Sequence, residues 1–424
     1  MSAFALVDAN NFYATCEKIF QPQLRHKPVV VLSNNDGCVV ARSAESKALG
    51  IPMGAPIHEW KDFCREHGVV VKSSNYVLYG DMSARMLRIL QRHSPDVESY
   101  SIDESFIGLD GFDNLTDRGR AMRQDVQRLI HVTCGVGIGP SKTLAKFANH
   151  IAKKHPEYGG VFNTFDHAQL LLDELMGHYP VTEVWGVGPR LGRKLSDLGI
   201  NTVLDLRHAT PRDIRQEFGV VLERTVRELN GMSCLPLEMV APDKQQIISS
   251  RSFGQLIYGL NDLSAAVSAF VARAAEKLRK QKSTCSIINV GIRTNPFRVN
   301  DPQYSKSIGL PLSTPTADTR RLTELALFLL RRIYRPGYAY KKASITLMGI
   351  APESVVQGSL FDEMGSLPAI HLMETMDKIN KQFGRGTLKL ASESLGHAWQ
   401  MKQKDRSQRF TTNWNELPSA STSR

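Results

Sequence analysis

Two stretches of this 424-residue sequence, 1–165 and 242–350, spell strand-like and helix-like runs in the order β-α-β-β-α-β, separated by a helical stretch, 166–241. This order constrains the fold most, because strands joined through helices share a sheet whose face those helices cover. In the first module "FALVDA" reads as a buried strand, and "NNFYATCEKIF" as a helix with Phe12, Cys16 and Phe20 on one face. An insertion over 21–72 holds two β-rich runs about a turn at Asn35–Gly37, then a short helix opening at Ser43 and ending at Gly50. "NYVLYGDMSARMLRILQRH" predicts a helix with Tyr76, Tyr79, Met86 and Leu90 as its core stripe. "VESYSIDESFIGLDG" predicts a hairpin, followed by a helix, the glycine-rich strand "TCGVGIGPS" and the helix "KTLAKFANHIAKK". The segment "APDK", Ala241–Lys244, is a polar break suited to a linker, and the polar end of 351–424 predicts a partly disordered tail.

At 42% hydrophobic and 22% charged, the chain is a folded protein of about three or four domains. Its net charge of +11 points to a polyanionic partner, either nucleic acid or an acidic membrane surface. No apolar run is long enough to span a bilayer, and "MSAFALVDAN" lacks the basic opening of a signal peptide. The six cysteines are scattered, so neither a zinc site nor a disulfide framework is indicated, and a reducing cytoplasm is expected.

Within the hairpin, "YSIDESF" sets Asp103 beside Glu104, although adjacent strand residues face opposite ways and a buried unpaired carboxylate is costly. Either both acids are solvated in a turn, or the tip gathers them around a cation. If the first strand pairs with this hairpin, Asp8 joins them, with a neighbouring carbonyl such as that of Val7. Three oxygen-donor acids suit Mg²⁺, and a pair of such ions can clamp an in-line phosphoryl displacement. "GVGIGPSKT" is no phosphate loop of the GxxxxGK[ST] kind, since Ser141 precedes Lys142, and GxGxG differs from the dinucleotide fingerprint GxGxxG. Its small residues suit a strand that passes close to its neighbours and to a template strand.

Taken together, "DANNFYATCE", "SNNDGCVVARSAESKALG", "YSIDESF" and "GVGIGPSKTLAKFANHIAKK" resemble the successive motifs of the Y-family (translesion) DNA polymerases, over about 350 residues in order. The wording "VVVLSNNDGCVVAR" and the long tail resemble the UmuC-like catalytic subunits of bacterial DNA polymerase V. The resemblance implies an α+β multidomain fold: palm at 1–20 and 73–165 with a ferredoxin-like sheet, and small fingers at 21–72. It further implies an all-helical thumb with a helix-hairpin-helix at 166–241, a ferredoxin-like little finger at 242–350, and a partner-binding C-terminal tail at 351–424. The implied activity is error-prone, template-directed translesion synthesis in the SOS response, by two-metal-ion nucleotidyl transfer with Mg²⁺ and without proofreading. A non-catalytic damage-site scaffold and a nucleotidyl cyclase are the competing readings.

By the same resemblance Asp8, Asp103 and Glu104 are catalytic metal ligands, and Tyr13 is the steric gate against ribonucleotides. Lys153 matches the family's palm lysine that faces the phosphates, Lys47 keeps a charge at a triphosphate-binding position with Arg42 as the alternative source of that grip, and the amides of Asn11, Phe12 and Tyr13, at a helix N-terminus, suit triphosphate oxygens. Where the family shows a Tyr and an Arg in the fingers helix, this chain has Ala44 and Lys47, which removes a hydroxyl and a bidentate fork. In "VWGVGPRLGRKLSDLGI", Gly186 and Gly188 suit a tight turn on a DNA phosphate, with Arg190, Arg193 and Lys194 behind it. Arg251, and the basic run Arg273, Lys277, Arg279, Lys280 and Lys282, are assigned to DNA by resemblance. "QGSLF" resembles a sliding-clamp peptide anchored by Gln357, Leu360 and Phe361. The implied partners are primer-template DNA, dNTP, a UmuD′-like dimer, RecA and the sliding clamp, with no membrane.

Overall fold

The apolar run Phe4–Ala9 forms strand β1, which is buried on both faces because helices cover both sides of its sheet. The computed structural model describes residues 2–240, 242–355, 367–393 and 401–418. Its contacts divide the chain into two units: Met1–Ser33, Gly37–Ala241 and Asp405–Arg424 form one, Asn34–Asp36 and Pro242–Lys404 the other.

In the first unit, helix α1 (Phe12–Ile19) follows β1, and a small three-stranded sheet comes next. There β2 (Val29–Leu32) pairs antiparallel with β3 (Val39–Arg42) and parallel with β4 (Val70–Ser73). Helices α2 (Ala44–Ala48) and α3 (Ile57–Glu66) lie between β3 and β4 in sequence. Ser43 caps α2 by accepting from the Ser46 amide, and Gly50 beyond it takes a positive φ of 78°, both as expected. Helix α4 (Tyr76–Leu90) leads to the hairpin β5 (Val97–Ser99) and β6 (Glu104–Gly108). Helix α5 (Leu115–Ile130), β7 (Cys134–Gly139), α6 (Lys142–Lys154) and β8 (Val161–Asn163) complete the main sheet.

Its order is β5-β6-β1-β7-β8, antiparallel throughout except for β7 with β8. The first four strands are two interleaved split β-α-β units, the ferredoxin-like arrangement expected. Ala5, Val7 and Ala9 pack against α4 and α5, whereas Phe4 and Leu6 join Ala145 of α6 on the other face. Strand alternation therefore turns Asp8 toward α6. Tyr79, Met86 and Leu90 are core residues, but Tyr76, expected with them, is 44% exposed because it sits at the open N-terminal end of α4. Helices α7 (Gln169–His178), α8 (Pro189–Ser196), α9 (Val203–His208), α10 (Pro211–Phe218) and α11 (Val220–Leu229) form the helical stretch. It is joined to α6 through buried Glu228, which accepts from the Thr143 amide (2.9 Å) and hydroxyl (2.6 Å).

The second unit runs β9 (Ile247–Ile257), α12 (Leu260–Lys280), β10 (Ser283–Thr294), β11 (Ser305–Thr316), α13 (Thr319–Ile333), β12 (Tyr340–Pro352) and α14 (Leu367–Phe383). The β-α-β-β-α-β order and its two split β-α-β units are present. The strands lie as β11-β10-β12-β9, so the first and third strands form the edges here, against the second and fourth of the corresponding set in the main sheet. Element order alone does not distinguish these layouts. Of the stretch 351–424, expected to be a partly disordered tail, the described residues include α14, which buries Met373 and Met376, and 405–418, which packs in the first unit with Phe410 only 7% exposed; the polar end 419–424 lies outside the described residues. Apolar residues spaced among polar ones conceal this from composition.

Candidate active site

The register of β1 with β6 sets Asp8 opposite Glu104, and opposed residues in an antiparallel pair have Cα atoms about 4.5–5.5 Å apart. Asp103 lies in the turn before β6, where its carbonyl accepts from the Ala9 amide at 2.9 Å. The acid doublet is thus split by the strand boundary: Glu104 opens the strand, and Asp103 remains in the turn with Ser101 Oγ donating to its carboxylate at 2.7 Å. All three expected acids arrive at one end of the main sheet. Val7 is placed less well, since it is fully buried between Ser105 and Val136 in the ladder, so its carbonyl lies within the sheet. Ala9, the last residue of β1, is the main-chain position at that end.

Two lysines of α6 hold the acids. Lys153 Nζ lies 2.6 Å from Asp8 Oδ2, and Lys146 Nζ donates to both Glu104 oxygens at 2.9 and 3.0 Å. Burial pushes the Asp8 carboxyl above its ordinary range, Lys153 opposes this, and the nearby Glu104 and Asp103 charges add to the rise. Lys153, which the resemblance sets facing the phosphates, pairs here with Asp8. Lys146 was missed, although it sits seven residues, two helical turns, before Lys153 on the same face. Asp8, Glu104 and the two lysines share a cleft of about 170 Å³, also lined by Asn149, His150, Glu183 and Trp185. Trp185 was missed too. Its Nε1 donates to the Tyr100 hydroxyl at 3.1 Å, and Lys146 stands over the Tyr100 ring at 4.6 Å and the Trp185 ring at 5.4 Å.

The glycines of β7 explain how α6 comes so near. A Cβ on Gly137 would meet Asn149 N at 2.0 Å and Ala145 O at 2.2 Å, so the helix backbone rests on the strand backbone. The expected close approach is therefore to α6.

Tyr13, in the first turn of α1, belongs to a cluster of three tyrosines. Its ring stacks on Tyr79 (4.4 Å, 16°) and meets the edge of Tyr76 at 6.0 Å. Burial raises its hydroxyl pKa, with Tyr76 and then Asp103 contributing. Asn11 precedes α1 in the left-handed region (φ 52°) and Phe12 is buried, so the first-turn amides of this helix have no intrahelical acceptor. Lys47 is exposed on α2, and desolvation followed by the charges of Arg42 and Lys153 lowers its pKa, while Asp8 raises it. Arg42 donates to the Ile51 carbonyl at 2.7 Å, an internal bond of the small-sheet region.

In the helical stretch Gly186 takes φ 88°, as a tight turn requires, while Gly188 has an ordinary extended backbone and caps α8. Arg190, Arg193 and Lys194 are exposed on α8. In the second unit Arg251 is exposed on β9. Arg279 is instead bound to Asp377 of α14 (2.7 and 2.8 Å), the Ala317 carbonyl and Thr319, so its assignment to DNA is withdrawn. Gln357, Leu360 and Phe361 lie outside the described residues.

As placed, no group of three or more His, Cys, Asp or Glu among the described residues could hold a metal ion. The donor chemistry nevertheless fits a hard divalent cation: three carboxylates meet at one sheet end, and the lysine ammonium groups occupy the positions where positive charge is needed.

The profile of the impB/mucB/samB family matches residues 7–150, that of its C-terminal domain 244–360, and that of the IMS family HHH motif 172–200. A domain of unknown function matches 371–420. The chain is 46% identical to Protein UmuC of Salmonella typhimurium over 421 residues, 98% of this chain and 99% of that one. It is 44% identical to Protein MucB of Escherichia coli over the same length and shares. To DNA polymerase IV of Pelotomaculum thermopropionicum it is 27% identical over 413 residues, 94% of this chain and 97% of that one. A solved Y-family DNA polymerase chimera of Dbh and Dpo4 shares the fold at TM-score 0.64 and 21% identity, over 82% of this chain and 99% of that one. With near-full-length identity at this level, the chain belongs to the impB/mucB/samB family, the UmuC-like group of Y-family DNA polymerases.

Proposed function

We propose that this chain extends DNA primers on a template across damaged bases, using dNTP, with low fidelity and without proofreading. The observation that carries this reading is the β1–β6 register, which delivers Asp8, Asp103 and Glu104 to one sheet end. Asp8, Asp103 and Glu104 would hold two Mg²⁺ ions, which when bound supply charge neutralisation on the triphosphate and ease deprotonation of the primer hydroxyl. Lys153 and Lys146, freed from the acids, are placed to meet phosphate oxygens, and Lys47 adds charge without the fork of an arginine. The first-turn amides of Asn11, Phe12 and Tyr13 favour a bound phosphate. Tyr13, held flat on Tyr79, leaves no room for a 2′-hydroxyl. The Gly186 turn with Arg190, Arg193 and Lys194 would grip the duplex backbone, and Arg251 would add a contact in the second unit.

We place the palm at 1–20 and 73–165, fingers at 21–72, thumb at 166–241, little finger at 242–350 and the partner-binding region at 351–424. By kinship with UmuC, the setting would be the SOS response, with a UmuD′-like dimer, RecA and, through Gln357, Leu360 and Phe361, the sliding clamp. No helix among the described residues is long and apolar enough to cross a membrane, and a cytoplasmic location suits the activity. The test is primer extension on undamaged and abasic templates with Mg²⁺. Extension is expected from the wild type, and Asp103→Asn should lower it at least about a hundredfold. No extension by the wild type, even with RecA and a UmuD′ dimer supplied, would support the scaffold reading.

A further inference from the structure

The region matched only as a domain of unknown function ends in a stretch that returns to the first unit, against β4, the N-terminus of α4 and α1. Residues 405–418 enter beside β4, where the Ser73 amide donates to the Asp405 carbonyl (3.2 Å) and the Asp405 amide donates to Ser73 Oγ (3.0 Å). Asn75, the N-cap of α4, donates through Nδ2 to Ser407 Oγ (3.0 Å) and to the carbonyls of Ser407 and Gln408 (both 3.1 Å). Phe410 stacks on Phe20 at 5.1 Å and 17°. Arg409 and Glu416 close the segment on itself.

One carboxylate oxygen links this segment to the site. Glu17 is fully buried on α1, one turn beyond Tyr13, and its Oε1 accepts from Ser407 Oγ (3.0 Å) and from the Tyr79 hydroxyl (2.7 Å). Tyr79 is itself fully buried, and its ring is the surface on which Tyr13 lies. Burial pushes the Glu17 carboxyl up, and the Tyr79 and Ser407 hydrogen bonds pull against that rise.

We infer that segment 405–416 is a positioning brace for the steric gate, with Ser407 setting, through Glu17 and Tyr79, the height and tilt of the Tyr13 ring. The inference rests on the polymerase reading and on Tyr13 as its gate. A brace of this kind is a specificity device: it acts on which sugar is accepted more than on how fast the accepted nucleotide reacts. It also gives the C-terminal region a role inside the catalytic unit, separate from any partner it binds.

The experiment uses the full chain in single-nucleotide insertion, reading kcat/KM for dNTP and for the matching rNTP. Ser407→Ala should lower the dNTP preference about three- to tenfold, the worth of one ordinary hydrogen bond. Insertion of dNTP itself should stay within about threefold of wild type. Ser407→Thr, which keeps the hydroxyl, should restore the preference. Adding Ser407→Ala to Tyr13→Ala should change the preference no further, since the two act as one unit. A purely structural role would lower both insertions equally and leave the ratio fixed. Phe410→Ala reads the same ratio through the other anchor, with thermal melting to confirm folding. Wild-type extension with an unchanged ratio in Ser407→Ala and folded Phe410→Ala overturns the brace alone. A wild type that extends no primer overturns the polymerase reading and the brace with it.

Discussion

Lys153 and Lys146 occupy the carboxylates that a divalent cation would claim, so ammonium and metal compete for Asp8 and Glu104. Removing a lysine should therefore favour the metal. Lys153→Ala is expected to lower the melting temperature in chelator, since a charge-assisted hydrogen bond of about 1.5–3 kcal/mol is lost. The rise in melting temperature on adding Mg²⁺ should exceed that of wild type; equal rises would show that the lysine does not compete. Glu17 offers a second test, with a sign fixed by burial. Its folded pKa lies above the ordinary 4.5, so the native state keeps a proton over a range where the unfolded chain has released it. Stability contributed by this group is therefore present at and below pH 4.5 and falls as pH rises through the folded pKa. Glu17→Gln should flatten the fall in denaturation midpoint above pH 4.5, and an unaltered pH profile in that variant would refute the assignment.

The alternation of apolar runs was legible at the level of elements, because strand and helix periods differ and the caps at Ser43 and Gly50 are local. What periodicity could not show is which surface a helix chooses. The docking of α6 on β7 depends on the absence of side chains at Gly135, Gly137 and Gly139, a signal that reads equally as a loop, a strand or a nucleotide fingerprint. For that reason Lys146 escaped notice, as did Trp185, whose partner Tyr100 is 85 residues away. Tyr76 was misplaced because a helical stripe does not reveal where the helix runs clear of the core. The docking makes a graded prediction. Gly137→Ala places a methyl against backbone atoms at 2.0 and 2.2 Å, which cannot yield, so a loss of about 3 kcal/mol or more in urea unfolding is expected. Gly135→Ala meets side-chain atoms alone, the flexible stem of Lys153 at 2.9 and 3.0 Å and Asn149 Nδ2 at 3.3 Å, and should cost less stability while lowering nucleotide affinity. Similar losses from both would argue against backbone-on-backbone packing. On α8, replacing Arg190, Arg193 and Lys194 with Gln should flatten the salt dependence of duplex binding by about 0.9 for each phosphate no longer neutralised, and an unchanged slope would remove this turn from the DNA interface.

At the scale of the whole chain, connectivity carries a consequence that no single element shows. The second unit is inserted in the first: the chain leaves after Ala241 and re-enters at Asp405. Residues 405–418 are not a passive end, since they bury Phe410 and Ser407 and bond to Ser73, Asn75 and Glu17. Apart from the short stretch Asn34–Asp36, the chain therefore joins unit two to unit one at the polar stretch Ala241–Lys244 and again at the link into 405–418, a segment held within unit one by packing and hydrogen bonds. A specific protease site introduced at Asp243–Lys244 should be cut without releasing either fragment. The nicked protein should elute with the intact 47.3 kDa chain under native conditions and separate only in denaturant. Adding Phe410→Ala and Ser407→Ala together should loosen this hold, because a buried aromatic truncation alone costs about 3–5 kcal/mol. Separation of the nicked wild-type halves in native buffer would mean that the returning segment does not grip the catalytic unit. Co-elution that survives both substitutions would place the grip elsewhere.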